Sequence, residues 1–207
     1  MVIRRITVIM GVSALVAFQA RGQDLLTPPV PSVQIAQQSH QYLNQALLQR
    51  SLAELRRLSA DWNRTSSSDR VWLDRAEIDR RRENRLGALR RLTDFTDRRS
   101  DAPLAPMAML ERGLMALEDG DHATGAELCG MAATMAQRSK VLRGDSVYGS
   151  IAQLASFWEA TSRAHRGEFE KALDGYRRAT TGDDDIAAQA RYAIGQVYEQ
   201  NGQDAEA

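Results

Sequence analysis

Cysteine occurs once in this sequence, at Cys129, and lysine only twice, at Lys140 and Lys171. One cysteine cannot close an internal bridge, so no disulfide holds the fold together and stability has to come from packing. Neither sign of charge is in excess: 27 basic residues stand against 27 acidic ones, which removes any global field favouring nucleic acid or an anionic membrane. The even total hides a gradient, because residues 50–100 hold 14 basic and 9 acidic side chains whereas residues 101–207 hold 10 and 17. Proline is scarce: Pro28, Pro29 and Pro31 fall together, and only Pro103 and Pro106 follow. Strand-like alternation is nearly missing. So are the spacings that carry chemistry, since the chain holds no HExxH, GxSxG, GxxxxGK or paired CxxC. The expectation is a chain without enzyme activity in these residues, with no metal and no cofactor.

What is present begins with the plan of an export signal. Arg4 and Arg5 precede an apolar run from Ile6 to Phe18, about the length of a signal core and short of the roughly 20 residues a spanning helix needs. Ala20 and Gly22 stand at the −3 and −1 places of a cut before Gln23. The predicted organisation is a signal peptide at 1–22, a proline-rich linker at 23–33, a helical region with degenerate repeats at 34–100, and repeats at 101–207, the last incomplete. The mature chain is then exported, periplasmic or cell-envelope associated, with no transmembrane span after signal removal. The alternative is an N-terminal anchor that is never cut.

From Gln34 to Leu58 apolar residues recur at three- and four-residue steps, through Ile35, Tyr42, Leu43, Ala46, Leu47, Leu52, Leu55 and Leu58. That spacing predicts an amphipathic helix. The run Thr65 to Asp69 competes with helical hydrogen bonding and then caps, so a loop and a new start are expected there. Val71 to Phe95 is helical again, as one helix or as two with a turn near Glu83 and Asn84. Further helices are predicted at 104–117, 123–136, 151–165, 169–179 and 186–199, with the polar RSKVLRGDS as a connection. Short glycine-bearing turns between helices of this length make antiparallel neighbours. The chain is expected to be all-α.

Glycine recurs at Gly120, Gly167 and Gly202, and a small residue follows each by five places at Gly125, Ala172 and Ala207. The step from Gly167 to Gly202 is 35 residues, close to the period of about 34 of the tetratricopeptide repeat. GEFEKALDGYRRA, with Gly167, Ala172, Tyr176 and Ala179, resembles the second half of that repeat; YAIGQVYEQNGQDAEA, with Ile194, Gly195, Tyr198, Gly202 and Ala207, resembles the first. An earlier unit holds Gly113, Gly120, Gly125, Cys129 and Ala132 at the same relative places, and Ala88, Leu92 and Phe95 look like the end of one before it. The 47 residues from Gly120 to Gly167 imply a lengthened connection, and Glu159 and Arg163 depart from the apolar residues usual at their places.

The resemblance implies helical hairpins stacked as a right-handed α-solenoid, with small residues where helices touch and Tyr176 and Tyr198 between hairpins. It also implies a concave groove that holds an extended segment or a helix of a protein or peptide partner. Gln196 and Glu199 are candidate groove residues, with Arg81 and Arg85 as further partner-binding candidates. Because Ala207 occupies the first core place of a second helix, the chain is expected to be the N-terminal portion of a longer protein.

Other candidates rest on side-chain chemistry alone. His40, His122 and His165 are scattered and read as surface residues, Cys129 as buried and inert, and Asp183 to Asp185 as capping. Arg80, Arg81, Arg82, Arg85, Arg90 and Arg91 read as a solvated face interleaved with acids, or as a seat for an anionic partner. The function expected is an exported scaffold or adaptor for protein–protein interaction in a cell-envelope complex, without nucleic acid. The rival is a helical accessory region of an envelope enzyme, for example a cell-wall-cutting one, whose catalytic domain lies beyond residue 207. A subunit of an outer-membrane assembly complex is a third reading.

Overall fold

The computed structural model describes residues 32–61, 67–144, 146–182 and 184–200. The chain divides into two compact units, 1–42 and 43–207. Of the first, only the helical backbone of residues 32–42 is described, and every described side chain belongs to the second. All regular structure among the described residues is helical: α1 Ser32–Asp61, α2 Ser67–Arg81, α3 Arg85–Arg98, α4 Ala105–Glu118, α5 His122–Arg143, α6 Ser146–His165, α7 Phe169–Ala179 and α8 Asp185–Gln200. The protein is all-α in this sense. The signal at 1–22, nearly all of the linker, the side chains of His40 and Asp183, and Gly202 and Ala207 lie outside the described residues.

Local chemistry sets the breaks. Residues 71–95 form two helices, because Glu83 takes a left-handed φ of 59° and the Asn84 side chain accepts from Gly87 N at 3.1 Å, capping α3. The Asp121 side chain caps α5 by accepting from Thr124 N at 3.0 Å. Gly120 and Gly167, at φ 77° and 73°, occupy the same left-handed place in the α4–α5 and α6–α7 turns, where a side chain would strain the backbone. Their recurrence in the sequence is thus a recurrence of turn geometry.

One expected connection is not there. The helix predicted to stop at Ala136 runs to Arg143, and the next begins at Ser146 instead of Ile151. Although QRSKVLR is polar, it contains no helix breaker, and α5 continues until Gly144 closes it with φ 67° and a bond from its N–H to Lys140 O at 2.9 Å. The surplus of the 47-residue gap therefore lengthens helices, to 22 residues in α5 and 20 in α6, against 14 in α4 and 11 in α7.

From α2 onward each helix packs closely on the next, and α4 on α6 and α6 on α8 pack as well. The core runs through these junctions with Phe95, Leu104, Leu110, Leu114, Tyr148 and Ile151 fully buried. Small residues permit close backbone approach. A Cβ at Gly113 would stand 2.7 Å from Cys129 Sγ on α5, and one at Gly175 would stand 2.8 Å from Ala160 Cβ on α6. Tyr176 lies between α6 and α7, its hydroxyl 3.1 Å from Thr161 Oγ1 and its ring centroid 5.7 Å from that of Phe157. Burial raises the Tyr176 phenol to about 12.

Candidate functional site

Leu48, Leu52, Leu55 and Leu58 form the buried stripe of α1. Their steps of four, three and three residues put them on one side of a helix. Each such burial is worth about 1.5–3 kcal/mol before the cost of ordering the chain. The polar partners of α1 show what lies beneath. Gln49 Nε2 donates to Glu118 Oε1 on α4 at 3.0 Å, Trp158 Nε1 on α6 donates to Ser51 Oγ at 2.9 Å, Arg56 pairs with Glu77 on α2 at 2.9 Å, and Arg50 pairs with Asp185 on α8. Arg70 Nη2 also donates to Ser59 O at 3.3 Å. These partners all sit on α2, α4, α6 and α8, every second helix of the chain. Between Arg56 and Ser59 the partner on α2 falls from Glu77 to Arg70, so α1 runs antiparallel to α2.

The seat is acidic. Glu77, Glu111, Glu118 and Asp185 come from three helices, and Arg80 reaches two of them, Glu111 Oε1 at 3.4 Å and Glu118 Oε1 at 3.5 Å. Burial holds the Glu111 carboxyl above its ordinary value despite Arg80, and the charge of Glu77 pushes it the same way. Two clefts flank α1. One of about 360 Å3 lies between Leu47, Leu58 and the α6 and α8 residues Leu154 and Ile186. The other, of about 310 Å3, lies between Leu55 and Leu73, Met107 and Glu111 of α2 and α4.

The candidate residues fall in different places. Arg85 is committed internally: it donates to Met115 O and pairs with Glu118 at 2.7 Å and Asp119 at 2.9 Å, tying α3 to the end of α4. Arg81 pairs with Glu77 at 2.7 Å beside the smaller cleft. Arg91 pairs with Asp79, so the arginine-rich stretch is extensively joined to acids of α2 and α4. Gln196 is half-buried, and its amide donates to Tyr192 OH at 3.3 Å, whereas Glu199 is exposed. Gln196 stands seven places after Gln189, which lines the larger cleft, and Glu199 seven after the exposed Tyr192; these residues share a stripe of α8. Gly195 and Tyr198 are half-buried there, and Arg177 Nη2 donates to Tyr198 OH at 3.0 Å. Ala172 and Ala179 are buried in α7. Asp184 caps α8 by accepting from Ala187 N at 2.8 Å and also accepts from Gln153 Nε2 at 2.9 Å.

Two features had only weak sequence signals. His122 and His165, far apart in the chain, stack with ring centroids 4.4 Å apart and planes 19° apart. Glu159, one of the departures from the repeat pattern, is buried on α6 and paired with Arg163 at 3.0 Å and Arg178 at 2.9 Å. It lies in a concavity of about 1220 Å3 lined by α5, α6 and the end of α7. A Cβ at Gly130 would approach its Oε1 to 3.2 Å, so the glycine makes room for the ion pair. Cys129 is fully buried, and burial together with the charge of Glu159 pushes its thiol up, away from the reactive thiolate.

Fold and site together define an all-α chain in which residues 49–59 of α1 reach side chains of α2, α4, α6 and α8. Compared with protein-family models, curated proteins and solved structures, the chain has no match. Among the described residues no group of three or more His, Cys, Asp or Glu is arranged to hold a metal ion, and no helix is long and apolar enough to cross a membrane.

Proposed function

We propose that this chain is an exported, tetratricopeptide-like scaffold of the bacterial cell envelope, with its hairpins wound as a right-handed solenoid. In this reading the face of α2, α4, α6 and α8 is the concave one and holds a segment of a partner protein. The observation that carries it is α1 itself: a leucine-striped helix engages all four first helices through Glu77, Glu118, Trp158 and Asp185. Packing of α4 on α6 and of α6 on α8 supports a continuous face, as stacked repeats require. The left-handed turn glycines Gly120 and Gly167 support the repeat.

Photo-crosslinking residues placed in the cell at Tyr192 and Gln196, and at Glu127 on α5 as a control, test the face. Adducts with another protein from the α8 positions and not from Glu127 are expected; adducts from Glu127 alone overturn the reading. Export is tested separately by fractionation and N-terminal sequencing, with Gln23 expected as the first residue of the mature chain.

A further inference from the structure

We infer that α1 is a displaceable placeholder, and that the natural occupant of its seat is an amphipathic helix of another protein. This rests on the reading of the first-helix face as the binding face. That helix would carry leucine-type side chains at the spacing of Leu48, Leu52, Leu55 and Leu58, cationic groups toward Glu77, Glu118 and Asp185, and bulkier apolar residues on its flanks.

Three observations lead there. First, α1 is not joined to its neighbours in the way they are joined to each other. Among the described residues, α1 makes far fewer close backbone approaches to its neighbours than consecutive helices from α2 to α8 make to one another. It is held by long side chains, Leu52, Leu55, Gln49 and Arg56 among them. Second, α1 fills its seat incompletely. Clefts of about 360 and 310 Å3 remain on its two sides, each bordered by α1 leucines and by apolar residues of the first helices. Both clefts are open to water, and a wider helix would remove more of their apolar lining from it. Third, the seat and α1 are complementary in charge, with Arg50 and Arg56 on the helix and Asp185 and Glu77 beneath. Arg50–Asp185 is exposed on both sides and Arg56 lies over the shielded Glu77; pairs of this kind select a partner and its register more than they hold it. The incoming helix is therefore basic on its seated side.

Because α1 is part of the same chain, its effective concentration is high. A competing helix binds weakly until α1 lets go, and its apparent affinity scales with the open fraction. The exchange is read with full chains in which Trp158 is the only tryptophan, Trp62 and Trp72 being replaced by Phe. Trp158 is buried at its contact with Ser51, so its emission reports the seat. In one chain Leu52→Asp and Leu55→Asp dislodge α1; in a second and gentler one Leu52→Ala and Leu55→Ala do so, in case the first fails to fold. The probe is a synthetic peptide of residues 43–61.

Dislodging is expected to red-shift Trp158. The peptide is then expected to reverse the shift and to bind the dislodged chain at least tenfold tighter than the parent. A peptide carrying Leu47→Phe and Leu58→Phe should bind tighter still, and one carrying Leu52→Asp and Leu55→Asp should not bind. A dislodged chain that keeps the helicity of α2–α8 yet binds the peptide no better than the parent overturns the inference. If crosslinks at Tyr192 and Gln196 nevertheless form, the binding face survives and only the exchange of α1 is lost; if they too are absent, the reading beneath it falls as well.

Discussion

The indole N–H of Trp158 donates to the hydroxyl of Ser51 at 2.9 Å, joining α6 to α1 across 107 residues. Ser51 Oγ in turn donates to Leu47 O one turn earlier at 2.9 Å, so the hydroxyl is both acceptor and donor. Ser51→Ala leaves the buried indole N–H without its acceptor and is expected to cost about 1–3 kcal/mol. Adding Trp158→Phe removes the orphaned donor. Urea unfolding of the two single variants and the double one should show a double variant less destabilised than the sum; strict additivity would deny that the bond matters.

The two cations on Glu159 are unequal. The Arg163 side chain is 24% exposed and that of Arg178 is 54% exposed. Arg163→Met is expected to cost on the order of 2 kcal/mol, since it strips a buried carboxylate of its better-shielded partner. Arg178→Met, at a screened position, should cost less than about 1 kcal/mol. The order of the two denaturation midpoints checks this.

Acid should weaken the α4–α5 and α6–α7 turns together. Burial holds His122 below its ordinary value, with Asp121 opposing, and burial and the charge of His122 hold His165 below its own. With folded-state values lowered, the unfolded chain takes up protons first, so this stability is complete above about pH 6.5 and is lost as pH falls through the folded values. His165→Asn is therefore expected to flatten the decline of Tm between pH 7 and 5, measured by thermal melts at fixed ionic strength. An unchanged slope would show that the stacked pair does not titrate as one.

Gly175→Ala tests the α6–α7 approach. The new Cβ would stand 2.8 Å from Ala160 Cβ and 3.2 Å from Ser156 O, the latter a backbone atom that cannot step aside. A cost of about 1–3 kcal/mol is expected, although alanine favours helix. Gly125→Ala meets side chains alone, Leu117 Cδ2 and Cγ closely and Ser162 Oγ at 3.6 Å, which can turn aside as a backbone cannot, and should cost less. Equal losses by calorimetry would mean that the helices slide to accommodate either methyl.

Turns and helices were legible where a single residue decides them. Gly120 and Gly167 announce left-handed turns, and the periodic leucines announce α1. Polarity does not mark the junction at Gly144, because a helix face bathed in water is as polar as a loop. The place of α1 could not be read at all: periodicity says that one side of a helix is covered and not by what. Leu48 shows the limit, being buried, while Ala46, which fits the same spacing, is exposed. Gly175 and the His122–His165 stack were also hidden, because each depends on a helix remote in sequence. Glu159 had a signal, as a charge in a place meant for an apolar side chain, whose sense became clear once Arg163, Arg178 and Gly130 stood around it.

The long reach of α1 also sets an order of assembly. Neighbouring helices from α2 to α8 meet soon after they are made, but Arg50 meets Asp185 across 135 residues. At ordinary synthesis rates that interval is on the order of ten seconds. The seat of α1 is thus completed only when α8 has been made: its contact with α2 spans few residues, but the side that meets α6 and α8 waits, open to whatever escorts the nascent chain in the meantime.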